Sequence, residues 1–214
     1  MELQHIQQKL AQAKEDAQQR KFVQSVDFII NLKNLNFKKP DDHVDFYVQL
    51  PYTNGKKLLI CALVGPELEE EARKVCDRVL TQEEFSALSK KELKNVASTY
   101  HYFIAQANIM AAVAKTFGRI LGPRGKMPDP KAGCVVPPKT NLQPLYDRLQ
   151  QTIRVVAKKD PVVHLLVGTA DQDEKEVSEN MHRVYTQLRT NLPLEENNIK
   201  NALVKLTMGK PVVL

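Results

Sequence analysis

The spacing of hydrophobic residues changes period twice along this chain, and that double change constrains its fold more than any other feature. Leu3, Ile6, Leu10, Ala13 and Ala17 recur at intervals of three and four among Glu, Lys and Gln, which predicts an amphipathic helix in need of a packing surface. After Arg20-Lys21 the period drops to two. Val26, Phe28, Ile30 and Leu32 alternate with Asp27, Ile29, Asn31 and Lys33, and Val44, Phe46, Val48 and Leu50 alternate with Asp45, Tyr47 and Gln49. These are two strands with one covered face, joined by the polar run Lys38-Lys39-Pro40-Asp41-Asp42.

From Leu58 to Val64 the run is continuously apolar and closes at Gly65-Pro66, as suits a parallel strand covered on both faces. Glu67 to Lys74 is acidic then basic, in the order that complements a helix dipole. Helical pattern over Ser89–Val96, strand over Tyr100–Ala105 and helix over Asn108–Phe117 follow, with Asn108 a candidate N-cap. Leu142, Leu145, Leu149 and Ile153 mark another helix, and Arg154–Ala157 a short strand. The one-faced texture then returns. Val163, Leu165 and Val167 alternate up to Gly168; Asp171 and Glu174 resemble a capping box; Val177, Met181, Val184 and Leu188 form a helical stripe. Ala202, Val204 and Leu206 close the pattern.

The ends thus supply four one-faced strands and two helices, and the middle supplies strands alternating with helices, the pattern of a three-layer unit. The predicted architecture is a discontinuous domain, residues 1–65 and 156–214, with a second domain, residues 66–155, inserted at a natural hinge. A length of 214 residues with 43% hydrophobic side chains is ample for two cores. The uncharged stretch Asn95–Ala114 holds too many polar residues for a bilayer span, and the Gln-rich start holds no signal-like apolar run. Three widely spaced cysteines, Cys61, Cys76 and Cys134, fit reduced thiols of a cytoplasmic protein.

The densest motif is Gly118 to Lys131, so punctuated by Gly and Pro that it predicts a loop. Its basic residues suit either phosphate contact or a structured surface turn. A phosphate-loop NTPase is excluded, because Ile120 stands where that motif needs Gly and Met127 where it needs Ser or Thr. Thr207-Met208-Gly209 is either a strand leaving into a turn or a hydroxyl, an apolar side chain and an open backbone suited to RNA shape recognition. Arg20 to Ser25 is equally two-sided, an RNA contact or a cap and core anchor. Catalytic and metal-ligand motifs are lacking, and the five histidines are dispersed, so neither enzyme chemistry, cofactor nor metal is expected.

Gly118-Arg119-Ile120-Leu121-Gly122-Pro123-Arg124-Gly125-Lys126-Met127-Pro128, combined with Thr207-Met208-Gly209, resembles the signature of the large-subunit ribosomal protein L-one family over essentially the whole chain, in its archaeal form. That resemblance implies an α/β chain with an α+β first domain. In it, a discontinuous four-stranded antiparallel sheet carries two helices in a split β-α-β arrangement, and a Rossmann-like α/β domain is inserted. It implies a non-catalytic, cytoplasmic protein binding the large-subunit rRNA stalk beside exit-site tRNA and other large-subunit components. It further implies repression of its own messenger RNA, no membrane, and a monomer off the ribosome. Carried over by position, the RNA contacts fall on Lys21, Phe22, Ser25 and Asp27, on His164 and Gly168, on Asn201, and on Thr207, Met208 and Gly209. The signature-loop residues Gly122, Arg124, Gly125 and Lys126 are expected as secondary contacts. A nucleotide-binding enzyme using the Gly-Pro-rich loop and a generic basic RNA chaperone are the competing readings.

Charge argues against a purely electrostatic interface. Of the net +6, residues 66–155 carry +4 and the end-built domain only +2. An RNA surface on the end-built domain must rely on fitted hydrogen bonds and close packing.

Overall fold

A computed structural model describes residues 2–18, 20–39 and 42–214, so Pro40 and Asp41 of the expected polar link lie outside the described residues. The chain divides into two units, one formed by Met1–Lys56 with Gln151–Leu214 and the other by Lys57–Gln150.

The first unit contains helix α1 (Leu3–Glu15), strands β1 (Ser25–Leu32) and β2 (Val44–Gln49), and, after the insertion, strands β7 (Thr152–Ala157) and β8 (Val162–Thr169), helix α7 (Glu174–Asn191), and strands β9 (Ile199–Leu206) and β10 (Val212–Val213). An antiparallel sheet runs in the order β10-β9-β1-β8. Along β1 every second residue is buried, which places Val26, Phe28, Ile30 and Leu32 in one core with Val163, Val167, Val204 and Leu206. Ile6, Leu10 and Ala13 of α1 and Val177, Met181, Val184 and Leu188 of α7 close that core from one side.

Here the structure corrects three expectations. Strand β2 pairs not with the four-stranded sheet but with β7, in a separate antiparallel ribbon, and β10 supplies the fourth strand. The ribbon buries Val44, Val48, Ile153, Val155 and Ala157 in the same core, so its one-faced alternation was real while its partner was not readable. Ile153 belongs to that ribbon rather than to a helix. The capping residue of α7 is Asp173, whose side chain accepts from Lys175 N at 3.0 Å, and Asp171 is left exposed.

The second unit holds strands β3 (Ile60–Val64), β4 (Arg78–Thr81), β5 (Tyr102–Gln106) and β6 (Val135–Val136) in a parallel sheet of order β4-β3-β5-β6. Its helices are α2 (Glu69–Val75), α3 (Gln82–Ala87), α4 (Lys90–Thr99), α5 (Met110–Leu121) and α6 (Gln143–Gln150). Cys61, Leu63, Phe103 and Ala105 face α3, α4 and α5, where Phe85, Phe103 and Phe117 meet ring against ring. Ile60, Ala62, Val64 and Ile104 are equally buried on the opposite face, so the sheet is the middle of three layers.

The boundaries differ from the expected 65 and 156, because β3 takes both its neighbours, β4 and β5, from the insertion, and β7 takes its neighbour β2 from the first unit. The charge split of +4 and +2 survives this redrawing. Both ends of α5 also shift. Asn108 lies in a 3-10 turn over Ala107–Ile109 rather than capping α5. Gly118 to Leu121, expected as loop, complete α5, because Val113, Phe117 and Leu121 continue its buried stripe and Gly118 has open space beside it.

Candidate nucleic-acid interface

Residues 182 positions apart meet where β1 begins and β9 ends. Ser25 N donates to Thr207 Oγ1 at 3.0 Å, Thr207 N donates to Ser25 O at 3.1 Å, and the Thr207 hydroxyl reaches back to Ser25 O at 3.4 Å. Both capacities of that hydroxyl are therefore engaged within the protein, and Thr207 shapes the junction rather than presenting a free donor. Gln24, 6% exposed, lies on the same buried parity as Val26 and Phe28. Its Oε1 accepts from Met208 N at 3.0 Å, its Nε2 donates to Gln18 O at 3.0 Å, and its carbonyl accepts from Ala170 N at 2.8 Å. One buried amide thus ties the end of α1, the start of β1 and the final turn together. Sequence reasoning passed over Gln24, although the period-two pattern run one step back from Val26 points it inward.

The junction lifts apolar side chains into solvent: Phe22 is 54% exposed and Met208 60%. Both lie beside Lys21 and Lys210, which are exposed as well. From here the outer face of the sheet extends as rows set by the strand register. Asp27 stands between Leu166 and Lys205; Ile29 stands between His164 and Leu203, with Val213 beyond; Asn31 stands beside Asn201. Asn201 is half-buried and its Oδ1 accepts from Asn31 Nδ2 at 2.7 Å. Among the described residues no helix of this unit packs on that face, and a mixed row of Asp, Lys, His, Asn and short apolar groups suits sugar edges and 2′-hydroxyls more than a run of phosphates.

Nine of the ten expected contact residues thus share this face and its end: Lys21, Phe22, Ser25, Asp27, His164, Asn201, Thr207, Met208 and Gly209. Gly168 is the exception. It is buried, and a Cβ there would come within 2.7 Å of Val177 Cγ2, so glycine at this position admits α7 to the sheet.

The signature loop belongs to the other unit, and its Lys126 and Arg124 donate hydrogen bonds inside that unit. Lys126 Nζ donates to Ala97 O at 2.9 Å and Tyr100 O at 2.7 Å, capping the last carbonyls of α4. Arg124 Nη1 donates to Ser98 Oγ at 2.9 Å. Gly125, at φ 64°, makes the turn that aims Lys126 inward. Burial, then the Arg124 charge, holds the Lys126 pKa below its ordinary value. His101, which accepts from Leu59 N at 3.1 Å, is held low by burial and then by Lys126. Of the expected secondary contacts, Gly122 and Gly125 are turn residues and Lys126 is a helix cap; Arg124 alone keeps an exposed guanidinium.

The nucleotide-enzyme reading meets two obstacles. In a parallel sheet of this order a nucleotide enters at the carboxyl ends of β3 and β5, where the connections diverge. That crevice is filled by the fully buried Gln106, which accepts from Gly65 N at 2.7 Å and donates to Glu67 at 3.1 Å, and the following helix opens with Glu69, Glu70 and Glu71. The Gly-Pro-rich loop follows the carboxyl end of α5 and lies by the start of β5, away from that crevice and at the end of a helix that repels anions. Among the described residues no group of three His, Cys, Asp or Glu is placed to hold a metal ion, and no helix is long and apolar enough to cross a membrane.

Known proteins resemble the chain over nearly its whole length. Residues 11–210 match the model of the ribosomal protein L1p/L10e family. The chain is 39% identical to the large ribosomal subunit protein uL1 of Nanoarchaeum equitans, over 92% of this chain and 93% of that one. It is also 39% identical to uL1 of Methanothermobacter thermautotrophicus, over 98% of each chain, and 36% identical to uL1 of Thermococcus kodakarensis, over 94% of this chain and 92% of that one. With its signature loop, its final Thr-Met-Gly turn and nearly its whole length matched, this chain belongs to the ribosomal protein L1p/L10e family.

Proposed function

We propose that this protein is a structural constituent of the large ribosomal subunit that binds the rRNA stalk beside the tRNA exit site through the outer face and junction end of its discontinuous unit. The observation that carries the proposal is the Ser25–Thr207 junction, which fixes Phe22 and Met208 as exposed apolar side chains at the edge of a mixed polar sheet face. Such a surface reads shape, because apolar groups pack on sugars while Asp27, Lys205 and His164 reach hydroxyls and base edges. Its low net charge leaves affinity to fit rather than to counterion release.

The same surface accounts for repression of its own messenger, provided the messenger start folds into a stalk-like shape. Contact with exit-site tRNA, with other large-subunit components and a monomeric state off the ribosome complete the proposal, which places the protein in the cytoplasm with the ribosome. The chain is a ribosomal protein by family and not an enzyme.

A competition binding experiment tests this reading with a stalk rRNA fragment, the start of the protein's own messenger and a scrambled RNA of equal length. Stalk and messenger RNA should compete with each other and the scrambled RNA should not. Equal competition by all three, with a steep salt dependence, would instead favour a generic RNA chaperone.

A further inference from the structure

Beside the junction a cleft of about 380 Å³ opens between the end of α1, the approach to β1 and the turn after β8, lined by Lys14, Ala17, Phe22, Gln24, Asp171 and Leu206 among others. That volume lies in the ~300–1,000 Å³ range of sites for small organic groups. Most of its donors are engaged within the protein, and Arg20, an exposed residue of the lining, spends one N–H on Gln18 Oε1 at 3.0 Å. Lys14 Nζ is held by Gln172 O at 3.0 Å and Glu174 at 3.8 Å, and Gln24 bridges Gln18 and Met208. The cleft therefore offers a phosphate no cluster of free donors. What it does offer is apolar wall from Ala17, Leu206, Phe22 and the half-exposed Val23, with one carboxylate at the rim. That carboxylate, Asp171, is exposed because Asp173 took the helix cap, and it has no hydrogen-bond or ion-pair partner among the described residues. An apolar slot with a single acceptor at its edge is complementary to a flat ring bearing amine donors.

We propose that this cleft receives one unstacked, amine-bearing base of the bound RNA, its face on Phe22 and its edge on Asp171. The inference rests on the reading of the adjoining surface as the RNA interface, with which the cleft is continuous. Leu206 lines the cleft and directly precedes Thr207, and a Cβ at Gly209 would lie 3.4 Å from Leu206 Cβ and 3.6 Å from Ala17 Cβ. Single-stranded bases are commonly splayed onto aromatic side chains in this way and read along their polar edges.

The test uses the full chain and a stalk rRNA fragment in which unpaired purines are replaced one at a time by 2-aminopurine. Binding should raise the fluorescence at one position as that base leaves its stack. Ala17→Leu, which fills the cleft, and Asp171→Asn, which removes only the rim charge, should abolish or weaken that signal. Ala17→Leu should lower affinity about 5- to 150-fold, the range for losing one stacked base. Circular dichroism melting confirms that each variant folds, and Asp171→Asn stands alone if Ala17→Leu does not. Tight wild-type binding with no fluorescence change at any position, and full affinity in both variants, would overturn the cleft while leaving the interface intact. Failure of the wild-type protein to prefer stalk over scrambled RNA would overturn both.

Discussion

Replacing Lys126 by methionine separates a structural signature loop from an RNA-binding one. Methionine keeps most of the side-chain stem and its packing but removes the ammonium that caps α4. The carbonyls of Ala97 and Tyr100 then lose donors at 2.9 and 2.7 Å. Ala97 O has no helical replacement, since His101 N, four residues on, already donates to Leu59 O. Hydrogen bonds from a charged donor contribute ~1.5–3 kcal/mol each, so the pair contributes at most about 3–6 kcal/mol. Part of that is offset by releasing a partly buried ammonium, whose lowered pKa shows the cost of its burial. The expected net loss is about 2–4 kcal/mol, or at least ~8 °C in the melting of a unit this size. Urea and thermal unfolding followed by circular dichroism measure it, and stalk-RNA affinity at low temperature, where the variant is folded, should stay within about twofold of wild type. Unchanged stability with a tenfold loss of RNA affinity would refute the capping role.

Changes at three further positions probe the first unit. Gly168→Ala should cost ~1–3 kcal/mol by overpacking against Val177, with the affinity of the folded fraction unaltered; a stable variant with weakened binding would make Gly168 a contact after all. Gln24→Ala should lower both stability, by ~1–3 kcal/mol, and RNA affinity, because Met208 N and Gln18 O lose their partner. Gln24→Glu keeps an acceptor for Met208 N and should recover affinity relative to alanine, as titration of the two variants side by side will show. On the ribbon, Arg154 chelates Asp45 at 2.8 Å through both oxygens and Lys158 adds a third contact at 2.6 Å, holding the Asp45 carboxyl at about 2 against an ordinary 3.8. A depressed carboxylate pKa contributes stability above about pH 3.8 and loses it as pH falls through about 2. The full shift is worth at most ~2.5 kcal/mol, and solvent screening of a quarter-exposed pair reduces it to about 1 kcal/mol. Asp45→Asn should flatten the acid limb of the stability profile by that amount, and an unaltered limb would count against the pairing.

What the sequence made legible was local. Alternation placed Val26, Phe28, Ile30 and Leu32 inward and Asp27 and Asn31 outward correctly, since a strand with one covered face writes its parity into the chain. The apolar run Ile60–Val64 is buried at every position, as a strand in the middle layer must be. What depended on distant partners was hidden. Whether β3 pairs with β1 or β5, and whether β2 pairs with the main sheet or with β7, decides the domain boundary and leaves no local trace. Strand β4 and helix α3 were missed because they are short, although Thr81 and Glu84 carry a capping box that marked the helix start. At the interface, the family resemblance supplied Phe22 and Met208. It did not reveal that the Thr207 hydroxyl is engaged with Ser25, 182 residues away, or that Lys126 serves a helix end.

The central claim is that RNA is held at the junction end of the discontinuous unit, the less charged of the two, and not by the signature loop. The direct test is the equilibrium affinity of Met208→Ala and Arg124→Ala for the same stalk rRNA fragment at one fixed salt concentration. Loss of roughly tenfold or more for Met208→Ala, about 1.4 kcal/mol, with Arg124→Ala within twofold of wild type, is the predicted result. Full affinity in Met208→Ala with a large loss in Arg124→Ala would contradict it.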